Sequence, residues 1–279
     1  AGDYNNWSTP QEVIGNTGNI YGIAWGNTSE RGVVVYQAAS TGVFCKAFKL
    51  NSDGISVTFG AQFTLLSGGS CDHVDISWDK TADKFLVVIG KNGTDEFPTA
   101  SGARNNTIAC VVSVNDVTCT KGTFNEMTAQ DNESRGLSLA YDPDNNKHLA
   151  VYADSGNSNY LTACILTISG TTVTANTEVA GGGYDGNIAA LDTDVVYVGG
   201  GDFLFYYHQS DNDSKARFVT VSGTTPSMGN DTGNIDDVVT GYTNNNIQAA
   251  YDERTEKVAV CLLRSSGPRD GRIYWLTLN

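Results

Sequence analysis

Hydrophobic and polar positions alternate along this chain in short runs, and the runs recur in a fixed order. A short alternating segment ends in an aromatic residue and a polar turn follows. Six places on stands a basic residue, and then a β-branched or aromatic run. Trp25 leads to Arg31 and Val33-Val34-Val35-Tyr36, Trp78 to Lys84, Tyr141 to Lys147 and Leu149-Ala150-Val151-Tyr152, and Tyr251 to Lys257. A fifth copy, Tyr197 to Phe203 with Leu204-Phe205-Tyr206-Tyr207, keeps the spacing and loses the charges. From Trp25 to Tyr251 is 226 residues over four intervals, about 56 per repeat. Several short strands per unit at such a period predict a β-propeller.

The third repeat shows the strands most plainly. Gly136 to Tyr141 alternates, Asp142-Pro143-Asp144-Asn145-Asn146 has turn composition, and His148 to Tyr152 is a second strand. Leu161 to Ile168 and Thr172 to Ala175 complete four antiparallel strands, the content of one blade. The last repeat stops after its third strand, while Ser8 to Val13 resembles the outer strand of the third repeat. The reading is therefore an all-β, five-bladed β-propeller of four-stranded antiparallel blades, one domain over 1–279. Residues 1–15 supply the closing strand of the last blade, and the repeats run about 16–66, 67–129, 130–182, 183–230 and 231–279. Closure by that strand removes two exposed sheet edges.

Along the innermost strands, the column just before the aromatic holds Ala24, Ser77, Ala140, Val196 and Ala250, and the column before that Ile23, Ile76, Leu139, Val195 and Ala249. Successive residues face opposite sides of a strand, so a bulky face can pack on a neighbour's small face around a tight axis, with the aromatics as interblade core. Asp79, Asp142 and Asp252, directly after the aromatic, suit the capping of turn amides.

Composition narrows the setting. Seventeen basic against 31 acidic residues leave a formal charge of −14, which opposes contact with nucleic acid or anionic lipid. No apolar run reaches the ~18–20 residues of a membrane span. The start at Ala1-Gly2-Asp3 fits a processed secreted protein or an excised domain, and sequons at Asn6, Asn27, Asn92, Asn105, Asn132, Asn212 and Asn230 are candidate N-glycosylation sites that accord with an extracellular setting. Six cysteines allow bridges in an oxidising compartment. Cys110 and Cys164 share one column of neighbouring repeats and stand too far apart to pair. The expected pairs are Cys45 with Cys71 and Cys110 with Cys119, while Cys261 reads as a small core hydrophobe.

Candidate chemistry clusters in the loops leading into the innermost strands. Asn19, Asn187 and Asn234 recur in Gly-Asn-Ile triplets, and Asp72, His73 and Asp75 form the densest polar group, joined by Asp236 and Asp237 from the fifth repeat. Their amides and carboxylates suit hydrogen bonds to sugar hydroxyls or oxygen ligation of Ca²⁺. The three histidines lie in different contexts, which disfavours zinc, and no Gly-x-Ser-x-Gly, phosphate loop or dinucleotide fingerprint occurs, so no catalytic residue is assigned and no cofactor is required. The long loop from Gly90 to Asn106, with Phe97, is a further recognition candidate.

With Ala140-Tyr-Asp-Pro-Asp-Asn-Asn-Lys-His-Leu-Ala-Val-Tyr152 and Ala163-Cys-Ile-Leu-Thr-Ile-Ser-Gly-Thr-Thr-Val-Thr174, the sequence resembles propeller repeats in surface proteins of marine microbes, algae and their viruses. That resemblance implies a module used extracellularly or on a virion for attachment or assembly, and it carries no residue-level site. Three expectations follow. The first is a surface binding or adhesion module that recognises a glycan or a protein receptor. The second is a structural subunit that contacts its neighbours in a larger assembly. The third is a five-bladed-propeller glycoside hydrolase, with Asp72, Asp75 and Asp194 as its carboxylates.

Overall fold

The computed structural model describes residues 12–14, 18–38, 42–54, 56–68, 71–91, 107–127, 134–154, 157, 160–181, 193–208, 214–236, 244–264 and 271–278. Among these residues the period-two runs form antiparallel strands gathered into five sheets in chain order. Sheet 1 holds β1 (Gly18–Gly26), β2 (Arg31–Ala38), β3 (Gly42–Leu50), β4 (Val57–Phe59) and β5 (Phe63–Ser67). Sheet 2 holds β6 (Cys71–Asp79), β7 (Lys84–Lys91), β8 (Ile108–Asn115), β9 (Thr118–Lys121) and β10 (Asn125–Glu126). Sheet 3 holds β11 (Ser134–Asp142), β12 (Lys147–Asp154), β13 (Tyr160–Ser169), β14 (Thr172–Ala175) and β15 (Val179–Ala180). Sheet 4 holds β16 (Thr193–Gly199), β17 (Asp202–His208), β18 (Ser214–Ser222) and β19 (Thr225–Asp236), and sheet 5 holds β20 (Asn244–Asp252), β21 (Lys257–Arg264) and β22 (Gly271–Thr277).

In the first three sheets both short last strands pair with the third, so the outer position is one strand broken by a kink. In sheet 4 it is the single β19, which stays paired to β18 through three register shifts. Of the segment expected to close the ring, only residues 12–14 lie within the described region. The Val13 carbonyl accepts a hydrogen bond from Lys46 Nζ at 2.6 Å, which places it against sheet 1.

The turn after the aromatic column folds as its composition requires. Asp79 Oδ1 accepts the amides of Thr81 and Ala82 at 2.9 and 2.7 Å, Asp142 Oδ1 those of Asp144 and Asn145 at 2.9 and 3.1 Å, and Asp252 Oδ1 that of Arg254 at 3.0 Å. The last turn residue, Glu30, Asp83, Asn146 or Glu256, has a left-handed backbone with φ of 53, 49, 53 and 51°. Sheet 4 meets the same need with Gly200 and Gly201. Gly26 replaces the capping Asp in sheet 1 because a Cβ there would sit 2.7 Å from the Trp78 indole nitrogen.

Large faces pack on small ones at four interfaces. Ile76 meets sheet 1 among Val33, Val35 and Cys45, and Leu139 meets sheet 2 among Leu86, Val88 and Ala109. Val195 meets sheet 3 among Leu149, Val151 and Ala140, and Ala249 meets sheet 4 among Leu204, Tyr206 and Val196. Each buried aliphatic side chain contributes about 1.5–3 kcal/mol. The outer rims lock as closely, because a Cβ at Gly60 would collide with the Val117 carbonyl of sheet 2 and one at Gly122 with the Thr171 carbonyl of sheet 3.

One expectation fails here. Cys261 is exposed, because Val258 and Val260 on β21 turn toward sheet 4 and leave the alternate positions on the opposite face. Ile273 and Trp275 share that face at 64% and 66% exposure, and Ile23 on β1 is 66% exposed.

Candidate functional site: a cavity lined by the first strands of five sheets

The first strands of all five sheets contribute to one cavity of about 390 Å³. Tyr21, His73, Asp75, Ser138, Thr193, Asp194 and Gln248 supply its polar lining. The residues three before the aromatic, Gly22, Asp75, Ser138, Asp194 and Gln248, form a single column around this cavity.

Three members of the column stitch sheets 2 to 3, 3 to 4 and 4 to 5. Asp75 Oδ1 accepts the amide of Ile76 at 2.7 Å, and its Oδ2 accepts that of Leu139 in sheet 3, also at 2.7 Å. Ser138 Oγ donates to the Thr193 carbonyl of sheet 4 at 2.6 Å. Asp194 Oδ1 accepts the Val195 amide at 2.9 Å and Oδ2 the Ala249 amide of sheet 5 at 2.6 Å. Tyr21 adds a tie from sheet 1 to sheet 2, its hydroxyl 2.9 Å from Gln37 Oε1 and 3.0 Å from the Cys71 carbonyl.

Burial raises both carboxyl groups to about 7. For Asp75 the Ile76 amide pulls the other way, the charge of Asp194 adds to the rise and the Leu139 amide opposes it. For Asp194 the amides of Ala249 and Val195 oppose it. Both oxygens of each carboxylate are thus turned to backbone donors. A glycosidase pair needs one carboxyl group that gives its proton to the leaving oxygen and a second that reaches water or the sugar. Asp75 and Asp194 each join one sheet to the next through these bonds.

A second polar cluster lies between sheets 2 and 3. Ser77 Oγ is 2.7 Å from His148 Nδ1, and His148 Nε2 is 3.4 Å from Asp79 Oδ2. The tautomer protonated at Nε2 lets Ser77 donate to Nδ1 and leaves Nε2 near Asp79 Oδ2 without a hydrogen bond to it. Burial lowers the His148 pKa against the pull of Asp79, so the ring is neutral at pH 7. Burial pushes Asp79 up, but His148 and the turn amides outweigh it and hold the carboxyl below its usual range. These are the residue types of a nucleophile, base and acid set, yet His148 has 0% exposure and Tyr141 lies over it with ring centroids 4.8 Å apart. No substrate reaches this imidazole, and the three side chains bind sheet to sheet.

The residues singled out from the sequence fall in several places. His73 and Asp75 line the cavity, half-buried, and Asn19 is exposed on β1. Asp72 lies on β6. Asn234 and Asp236 lie on β19, where they pair with Lys215 and Ser214 of sheet 4 instead of leading into sheet 5. Asn187, Asp237 and most of the loop from Gly90 to Asn106 fall outside the described residues. The loops expected before β1 and β6 are strand, broken by register shifts between Ile20 and Gly22 and between Cys71 and His73. The same irregularity recurs in β11 and β20. The sequence reading did not single out Tyr21, Thr193 or the Ser77–His148–Asp79 group. Among the described residues no three His, Cys, Asp or Glu side chains converge as a metal site.

No family model and no curated protein matches the chain. Solved structures do resemble it. A protein of unknown function from Dyadobacter fermentans aligns with a TM-score of 0.55 at 12% identity, covering 95% of this chain and 81% of that one. The six-bladed β-propeller lectin of Aleuria aurantia aligns at 0.54 and 13%, over 94% and 77%. An endo-arabinase from Bacteroides thetaiotaomicron aligns at 0.51 and 9%, over 98% of each chain. At these identities the likeness is one of fold. The architecture is all-β, built of antiparallel sheets that reach four strands across, and it is consistent with a β-propeller.

Proposed function

We propose that the chain is a five-bladed propeller, closed where its first and last sheets meet, that binds a glycan in the axial cavity. The reading rests on one observation: a polar cavity of about 390 Å³ ringed by the inner strands of all five sheets, whose acids are engaged by backbone amides. A cavity with hydroxyl, imidazole and amide groups on its wall suits neutral sugar hydroxyls, and the fold is shared with a lectin that its description assigns to fucose recognition. Closure accords with the exposed apolar residues on the two sheets that would meet, Ile23 on one and Ile273 with Trp275 on the other. A secreted or particle-surface adhesion role accords with the acidic charge and the sequons.

A glycan array, followed by calorimetric titration of the best hits, tests this. His73→Ala and Gln248→Ala should weaken binding at least tenfold while the circular dichroism and melting temperature stay unchanged. An array without hits contradicts the reading. Hydrolysis of arabinan or a related polysaccharide, abolished by Asp75→Asn in a protein that still folds, would replace it with the hydrolase.

A further inference from the structure

All six cysteines carry free thiols in the structure, and five of them are buried. Four of the buried ones, Cys45, Cys71, Cys110 and Cys119, belong to the core cluster between sheets 1 and 2. Within it, Cys45 on β3 and Cys119 on β9 are brought together across the interface: Cys119 lies between Val117, whose carbonyl abuts Gly60 beside Ala47, and Lys121, which reaches Leu65 on the strand paired with Cys45, and each thiol shifts the ionisation of the other. The backbone on both sides of this pair is clamped. Arg31 Nε donates to the Asp116 carbonyl at 2.8 Å, Lys49 Nζ meets Asp116 Oδ1 at 2.6 Å, and Lys121 Nζ donates to the Leu65 carbonyl at 2.6 Å. Below the pair, Gly60 abuts the Val117 carbonyl so closely that no side chain fits. Two thiols brought together on strands held this firmly need little backbone movement to join.

We propose that Cys45 and Cys119 form an inter-sheet disulfide when the chain folds in an oxidising compartment, in place of the within-repeat pairs that the sequence suggests. The oxidant is a small-molecule disulfide of the glutathione class. The Cys119 thiolate attacks one of its sulfurs and expels one small thiolate. The Cys45 thiolate then attacks the Cys119 sulfur of the mixed disulfide and expels the second. The two protein thiols lose two protons and two electrons, and the oxidant becomes two thiols. Cys119 is the better first nucleophile, because its neighbour Cys45 outweighs its burial and lowers its pKa, while Cys119 and burial raise that of Cys45. Both side chains are buried once sheets 1 and 2 have met, so exchange accompanies folding. The bond would close a loop across two sheets.

The full chain, reduced and unfolded, is refolded in a glutathione redox buffer, unfolded again and alkylated with N-ethylmaleimide. Intact mass and peptide mapping should show four alkylated thiols in place of six, with the Cys45 peptide linked to that of Cys119. The melting temperature should exceed that of the dithiothreitol-treated protein by about 5–10 °C. Cys45→Ser and Cys119→Ser should each abolish the link, and Cys71→Ser and Cys110→Ser should leave it in place. Six alkylated thiols, or a Cys45–Cys71 or Cys110–Cys119 linkage in the wild-type chain, would overturn the proposal without recourse to any variant.

Discussion

Sheets 2 and 3 meet through a buried imidazole wedged between a serine and an aspartate, a carboxylate that grips the neighbouring backbone, and an apolar layer of Leu86, Val88, Leu139 and Ala150. The far face of sheet 5 shows Ile273, Trp275 and Cys261 to solvent, although its strands carry the same turn, the same aromatic and the same alternation. The contrast teaches that the repeat pattern builds each sheet but does not complete an interface. An interface is complete only when the small column of one sheet finds the large column of the next. In the proposed ring, the exposed faces of sheets 1 and 5 find each other.

The largest test of that contrast is steric. Gly122→Val, which drives a side chain into the Thr171 carbonyl of sheet 3, should destabilise the protein by about 3 kcal/mol in urea unfolding, at the upper end for overpacking. An unchanged midpoint would mean that the outer rims do not lock as described. His148→Ala should come next, at roughly 2–3 kcal/mol, because it leaves the Ser77 hydroxyl without its partner and a cavity in a buried interface. Ser77→Ala alone should cost less.

The inner column makes a pH-dependent prediction whose sign is opposite to that of an ordinary salt-bridged carboxylate. Asp75 and Asp194 titrate near 7 in the folded state and near ~4 when unfolded. Between those values the folded chain binds more protons, so their contribution to stability is fully present below about pH 4 and is lost as pH rises through 7. Wild-type protein should melt lower at pH 8 than at pH 5, and Asp75→Asn with Asp194→Asn should flatten that decline. An equally steep decline in the double variant would show that the two groups are not protonated in this range. The smallest expected effect is Ile273→Ser, about 1 kcal/mol of destabilisation if the face is covered by sheet 1 and nothing measurable if it stays in water.

Much of this fold was legible in the sequence. The aromatic column, the Asp caps at Asp79, Asp142 and Asp252, and the large and small faces all act through local spacing, and spacing is what a sequence displays. The inner column was not legible as a structural device, since Gly22, Asp75, Ser138 and Asp194 share no chemistry. What the last three have in common is a backbone partner one repeat away, which no local pattern reveals. Asn19, Asp72 and His73 fall in expected loops for a related reason. Gly, Asn and Asp mark turns, but here they sit in bulged strand, where one extra residue breaks the alternation without ending the ladder. The nearness of Cys119 to Cys45 was hidden because it arises only through the stacking of two sheets.

The central claim, a ring sealed between sheets 5 and 1, is tested most directly by spin labels at Ile23→Cys and Ile273→Cys, with exposed Cys261 changed to Ser. Closure predicts strong dipolar coupling at a separation set by packed sheets, about 10 Å plus the label linkers. A broad distribution of longer separations would show an open arc and contradict the account.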